Sequence, residues 1–283
     1  MKKEKSADPS GSAKQKKSAF RFNRGQLCIP YGLFLALFVI FPLLLIIYYA
    51  FTAKDGSFNG FDNFVWFFSS PSMLINLGTS ILIGLATTVI CLLLGYPVAY
   101  ILSRFPERRR GILLLLFIMP MWINFVLRAL AMRELLDLFG MLGKYNFLNT
   151  IIGMVYDYLP FMILPLYTTL IKMDKSLEEA AFDLGAGKAK VFTSVTLPLS
   201  LPGIISGITM VFMPTMTCYV ISGTFSNNKV TIIGKLIETW FGTGDNWHYG
   251  SVIALVLLII MFLSTLIEGK FSDDKLATRG TNL

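Results

Sequence analysis

With 283 residues, 54% of them hydrophobic and 15% charged, and a mean hydropathy of +0.64, the chain has too little polar surface for a water-soluble globule and belongs in a bilayer. Its net charge of +8 does not mark a nucleic-acid binder, because 19 of the 25 Lys and Arg residues cluster at the ends of apolar runs. The positive-inside rule puts those clusters, both termini and the polar loop near residue 180 in the cytoplasm.

In chain order, residues 1–26 are rich in Lys and Ser and read as a disordered tail. Residues 27–270 then hold six apolar runs, each near the 20 or so residues that cross a hydrocarbon core. The first covers residues 28–51. An outer segment over residues 54–71 carries Phe61, Phe64, Trp66, Phe67 and Phe68, which suit an interfacial aromatic belt. The second run ends at Ser103 and is anchored by Arg104, Arg108, Arg109 and Arg110. The third is expected to run outward from Ile112, past Pro120 and Trp122, to about Met132. The fourth returns over residues 151–171. After the polar loop, taken as residues 174–202, the fifth is expected to start near Gly203, where Gly203 and Gly207 form a small-x-x-x-small pair suited to close helix packing. An outer loop with Asn227, Asn228, Gly242 and Gly244 precedes the sixth, residues 249–266, and residues 271–283 form a cytoplasmic tail. Pro42, Pro120, Pro160, Pro165 and Pro214 interrupt these runs where unwinding can line a path.

Cys28, Cys91 and Cys218 have no ligand-like spacing, so neither a disulfide framework nor a metal site is expected. His248, the lone histidine, reads as a surface side chain. The Gly-Lys pairs at 143–144 and 234–235 lack the spacing and the following Ser/Thr of a phosphate-binding loop. No ATPase is recognisable in the chain.

The polar loop is the most specific stretch. Ser176 and Glu179 have the spacing of a capping box, which predicts a helix from about Leu177. Ala180 and Ala181 leave one side of it smooth. Gly185 and Gly187 supply the freedom to turn, and a second short helix runs on through Val191 until Leu197-Pro198 redirects the chain. The pattern Glu179-Ala180-Ala181, then Gly185, then Val195-Thr196-Leu197-Pro198 resembles the signature loop of the permease subunits of bacterial ABC importers, with Val195 in the place of the usual isoleucine. The resemblance implies an all-α, MetI-like type I importer fold whose loop is a coupling helix. Glu179, Ala180, Ala181, Gly185, Leu197 and Pro198 would then dock on a separate ATP-hydrolysing subunit. Glu179 is open to a second reading, in which it only satisfies backbone donors.

Residues 119–128 (MPMWINFVLR), residues 158–167 (YLPFMILPLY) and residues 201–207 (LPGIISG) are similar to the PotB-type permeases of polyamine (spermidine/putrescine) importers. This resemblance spans about residues 31–266. It implies a polyamine solute, a homologous second permease, an ABC ATPase dimer that holds the ATP and Mg, and an extracytoplasmic polyamine-binding protein. No cofactor is expected on this chain. At 1.5 Å of rise per residue, Trp122 lies about 15 Å up from Ile112, and Asp157 about 21 Å up from Ile171. Trp122, Asp157 and Tyr219 are the candidate solute contacts, since carboxylates beside aromatic faces suit a polycation. Against that stands internal neutralisation, in which Arg128 and Arg133 pair with nearby acids. A permease for an oxyanion or a metal complex, a passive channel and a membrane-embedded enzyme are the other readings; no clustered catalytic constellation supports the last.

Overall fold

The computed structural model describes residues 28–242 and 246–280, and their regular structure is helical apart from one isolated bridge between Thr52 and Phe58. The basic tail expected over residues 1–26, Gly244 in the outer loop and residues 281–283 lie outside the described residues.

The chain divides into two compact units at Leu45 and Ile46. In the first unit, α1 (Cys28–Leu35) passes through a five-residue π-helix, Ala36–Ile40, into the start of α2 (Phe41–Ala50). Pro42 does not interrupt this helix as expected. Its ring would press on the carbonyl of Phe38, four residues earlier, and Phe38 lies in the wider π turn, which gives that carbonyl room.

The second unit contains α3 (Asp62–Ser69), α4 (Pro71–Arg104), α5 (Glu107–Ile118), α6 (Phe125–Leu138), α7 (Asn146–Ile171), α8 (Ser176–Asp183), α9 (Lys188–Val191), α10 (Leu197–Thr217), α11 (Tyr219–Ser226), α12 (Ile233–Gly242) and α13 (Trp247–Gly280). Among the described residues, five stretches are long and apolar enough to cross a bilayer, Pro30–Ala50, Pro71–Arg104, Asn146–Ile171, Lys188–Thr217 and Trp247–Leu266, and the bent pair Glu107–Trp122 with Phe125–Leu138 makes a sixth when counted as one broken span. The expected third span differs. Beyond α5 the chain tightens into a 3₁₀ turn, Met119–Trp122, and then bends by 95° before α6. Pro120 sits in that turn, and the Asn124 side chain accepts a hydrogen bond from the Val126 N–H at 2.9 Å, which starts a new helix. A hydrophobic run long enough to span thus hides a stop and a start.

The fifth span also differs. It begins at Lys188 rather than near Gly203, because a π turn at Phe192–Thr196 joins α9 to α10 without a break. Pro198 therefore does not redirect the chain, and Ser194, whose carbonyl its ring would crowd, lies in the π turn. Pro160, Pro165 and Pro214 likewise sit inside unbroken helices. Of the five prolines expected to interrupt spans, only Pro120 marks a break.

The core is the mutual packing of α4, α7 and α10, centred on Cys91, Ala99, Met162, Ile163, Leu166 and Val211. The α10 backbone lies directly on α7 through the expected glycine pair. A Cβ at Gly203 would stand 2.6 Å from Thr169 Oγ1 and 2.9 Å from the Pro165 carbonyl oxygen, and one at Gly207 would stand 2.6 Å from Met162 Sδ. Forcing bulk into such a contact costs about 1–3 kcal/mol. Gly203→Leu is therefore expected to lower the thermal unfolding midpoint in detergent by several degrees, and an unchanged midpoint would show that this contact is loose.

The aromatic belt is only partly exposed. Phe67 is fully buried, Phe64 and Trp66 pack half-buried against the same cluster, and Trp66 stacks on Tyr249 with ring centroids 3.8 Å apart, so three of the five rings serve the protein interior. His248 is half-buried rather than a surface side chain. Its Nδ1 donates to the Tyr49 carbonyl at 3.1 Å, which ties the start of α13 to the end of α2.

Candidate functional site

Three regions carry the predicted residues. The first is the loop after α7. Asp174 Oδ1 accepts the Ser176 N–H at 3.0 Å, and that bond holds the Asp174 carboxyl below the usual carboxylate range. The expected capping box does not form: Ser176 is already helical, Lys175 occupies the cap position, and no side chain caps the helix. The acceptor lies two residues before Ser176, so α8 starts one residue earlier than the spacing suggests.

Of the two adjacent glutamates on α8, Glu178 faces inward. Glu178 is buried, paired with the Arg104 guanidinium at the end of α4, and accepts the Thr196 hydroxyl at 2.8 Å. Glu179 is exposed and bonds through its side chain to no described residue. Sequence reasoning missed Glu178, Arg104 and Thr196. The available signal was a pair of adjacent glutamates, of which a helix can bury only one.

The far end of α8 matches expectation at Gly185. Its φ of +81° is left-handed. The Gly185 N–H bonds the Phe182 carbonyl at 2.8 Å and the Ala186 N–H bonds the Ala181 carbonyl at 3.1 Å, the paired bonds of a Schellman terminus. Gly187, at φ −72° and ψ 160°, is extended and needs no special freedom. Ala180 is exposed, beside the uncovered apolar side chains of Leu177, Phe182 and Leu184, the last 89% exposed. Glu179, Ala180, Ala181 and Gly185 therefore belong to one short exposed element. Leu197 and Pro198, also exposed, stand apart from it in the first turn of α10.

The second region is a cavity of about 410 Å³ at the break between α5 and α6. Trp122, Asn124 and Phe125 line it from the break, Arg128 from α6, and Asp157, Tyr158 and Phe161 from α7. Trp122 is 76% exposed and Asp157 is buried. The Arg128 Nη2 to Asp157 Oδ1 distance is 2.9 Å, so the internal pair weighed above does form. Arg128 Nε and both Asp157 carboxylate oxygens make no hydrogen bond, which leaves acceptor capacity on the carboxylate. Arg133 instead donates to Asn227 Oδ1 at 3.2 Å, not to an acid.

Tyr219 is not in this cavity. The chain leaves the helical region at Cys218, where ψ is 74°, and Tyr219 opens α11. It lines a separate cavity of about 580 Å³ with Arg133 and Lys235, and the Lys235 ammonium lies 5.4 Å from the centre of its ring. Trp122 and Asp157 are thus brought together, and Tyr219 is placed beside basic groups.

The family described as "Binding-protein-dependent transport system inner membrane component" matches residues 91–272. The spermidine/putrescine transport system permease protein PotB of Haemophilus influenzae is 36% identical over 269 residues, which cover 88% of this chain and 93% of that protein. PotB of Escherichia coli K12 is 34% identical over 259 residues, covering 84% and 94%. Among solved structures, the bacterial alginate ABC transporter bound to its alginate-loaded periplasmic protein aligns with a TM-score of 0.72 at 14% identity, over 88% of this chain and 93% of that one. The MetNI methionine ABC transporter aligns with a TM-score of 0.58 at 17% identity, over 73% and 99%. At that identity these two speak for the fold alone, an all-helical ABC permease architecture. With its apolar spans, its glycine-ended loop and this agreement over most of its length, the chain belongs to the family of binding-protein-dependent transport system inner membrane components.

Proposed function

We propose that this chain is the membrane-spanning permease of an ATP-driven importer for polyamines of the spermidine/putrescine class. The cavity carries the substrate reading. A buried carboxylate, Asp157, ion-paired to Arg128 but with neither oxygen hydrogen-bonded, sits among Trp122, Tyr158 and Phe161, a setting suited to an alkyl ammonium through ion pairing and cation–π attraction. The names of the PotB relatives agree with that chemistry.

In the proposed cycle an extracytoplasmic binding protein delivers the solute. An incoming ammonium competes with Arg128 for Asp157, while the aromatic rings take the methylene segments. ATP and Mg are held by a separate ATPase dimer, whose closure is received by α8 and passed to the spans. A homologous second permease completes the pathway, and both termini face the cytoplasm, as the basic clusters require. The exposed Leu177, Phe182 and Leu184 fit a groove on the ATPase.

The test is uptake of radiolabelled spermidine by proteoliposomes holding the complete complex. ATP-dependent accumulation, reduced by excess putrescine and unaffected by sulfate or molybdate, is expected. Accumulation without ATP, or competition by oxyanions and not by polyamines, would overturn the proposal.

A further inference from the structure

Among the described residues, two ion pairs join segments far apart in sequence: Arg128 with Asp157 and Arg104 with Glu178. The second lies outside the solute cavity. Its surroundings tie three elements together. On α4, Arg104 stands over the Tyr100 ring at 4.8 Å, and Tyr96 hydrogen-bonds Ser200 of α10 at 2.9 Å. Phe192, the first residue of the π turn, meets the edges of both Tyr96 and Tyr100 at 5.7 Å. Thr196, the last residue of that turn, donates to Glu178 of α8. One carboxylate therefore receives both the end of the second span and the base of the fifth.

We infer that Glu178, held by Arg104 and Thr196, is the positioning residue that makes α8 move as one body with α4 and α10, so that displacement of the coupling helix becomes displacement of the spans. The inference rests on the proposed ATP-driven reading. Its reason is mechanical: α8 is two turns long, and its larger apolar side chains, Leu177 and Phe182, face away from the protein. A short helix held by few apolar contacts slips when pushed unless a directional bond fixes it. A carboxylate accepting from a guanidinium and a hydroxyl at once is such a bond.

The experiment uses the complete complex in proteoliposomes. It measures ATP hydrolysed per radiolabelled spermidine imported, beside the yield of assembled complex. Glu178→Gln and Arg104→Met are each expected to assemble and to raise that ratio at least fivefold. The exchange Arg104→Glu with Glu178→Arg restores an opposed pair and is expected to bring the ratio back to within twofold of wild type. A wild-type ratio in both single variants would overturn the inference, as would uptake and hydrolysis falling together in proportion to assembled complex, or an exchange no better than the singles. Wild-type complex that shows no ATP-dependent uptake would instead refute the transport reading on which it stands.

Discussion

Asp157→Asn is expected to cut polyamine uptake by at least tenfold and also to destabilise the protein, because it leaves the Arg128 guanidinium buried without a counter-charge. Breaking a buried pair by removing one partner costs about 3–5 kcal/mol. The single variant alone therefore does not separate a solute contact from an internal pair. The double variant Arg128→Met with Asp157→Leu does: it replaces both charges by apolar side chains of similar size and should recover most of the lost stability, since apolar replacement of a buried pair is often tolerated. If Asp157 receives the ammonium, uptake by the double variant stays low while its melting midpoint returns toward wild type. Uptake that recovers with stability would reduce Asp157 and Arg128 to a structural pair. Trp122→Ala, at the exposed edge of the same cavity, serves as a companion that removes no buried charge.

The second large effect is expected from Gly185→Val. A β-branched residue at φ +81° is strained by roughly 1–2 kcal/mol or more. The way to relieve that strain is to open the turn that satisfies the Phe182 and Ala181 carbonyls. A Cβ at Gly185 would meet no atom within 4 Å, so the harm is conformational and not a clash. Uptake should fall at least tenfold while membrane insertion and ATPase association persist. Gly185→Asn, which tolerates the left-handed region far better, should retain much of the activity. Equal loss in both variants, or no loss in either, would count against the turn as the cause.

Much of this architecture is legible in one dimension because a bilayer imposes a length on each apolar run and a sign on its flanks. The second, fourth and sixth spans follow from that alone, and the Gly185 terminus follows from the spacing of the loop. The break at residues 122–125 does not, although both of its causes are visible. Pro120 and Asn124 stand inside a run whose hydropathy is continuous, and nothing in hydropathy distinguishes a proline that a helix absorbs, as at Pro160 and Pro165, from one that ends it. Glu178 was hidden because neighbouring positions on a helix point about 100° apart, and nothing in the loop's spacing says which of two adjacent glutamates meets the spans. Tyr219 stands apart from Trp122 and Asp157 because the helix ends at Thr217, and a change of direction that late in an apolar run leaves no trace in composition. Counting residues put Trp122 and Asp157 at different heights in the membrane, and it is the break after α5 that brings Trp122 to the same cavity as Asp157.

The π turn at Phe192–Thr196 has a consequence for how far the chain can be wound. Such a turn holds one residue more than an α turn. If it tightened, the surplus residue would pass into the ordinary spiral, and the segment before it would swivel by about 100° and advance by about 1.5 Å relative to α10. Like a screw with one spare thread, the base of the fifth span stores that pitch, and the Thr196 bond to Glu178 and the Phe192 ring contacts with Tyr96 and Tyr100 keep it from unwinding.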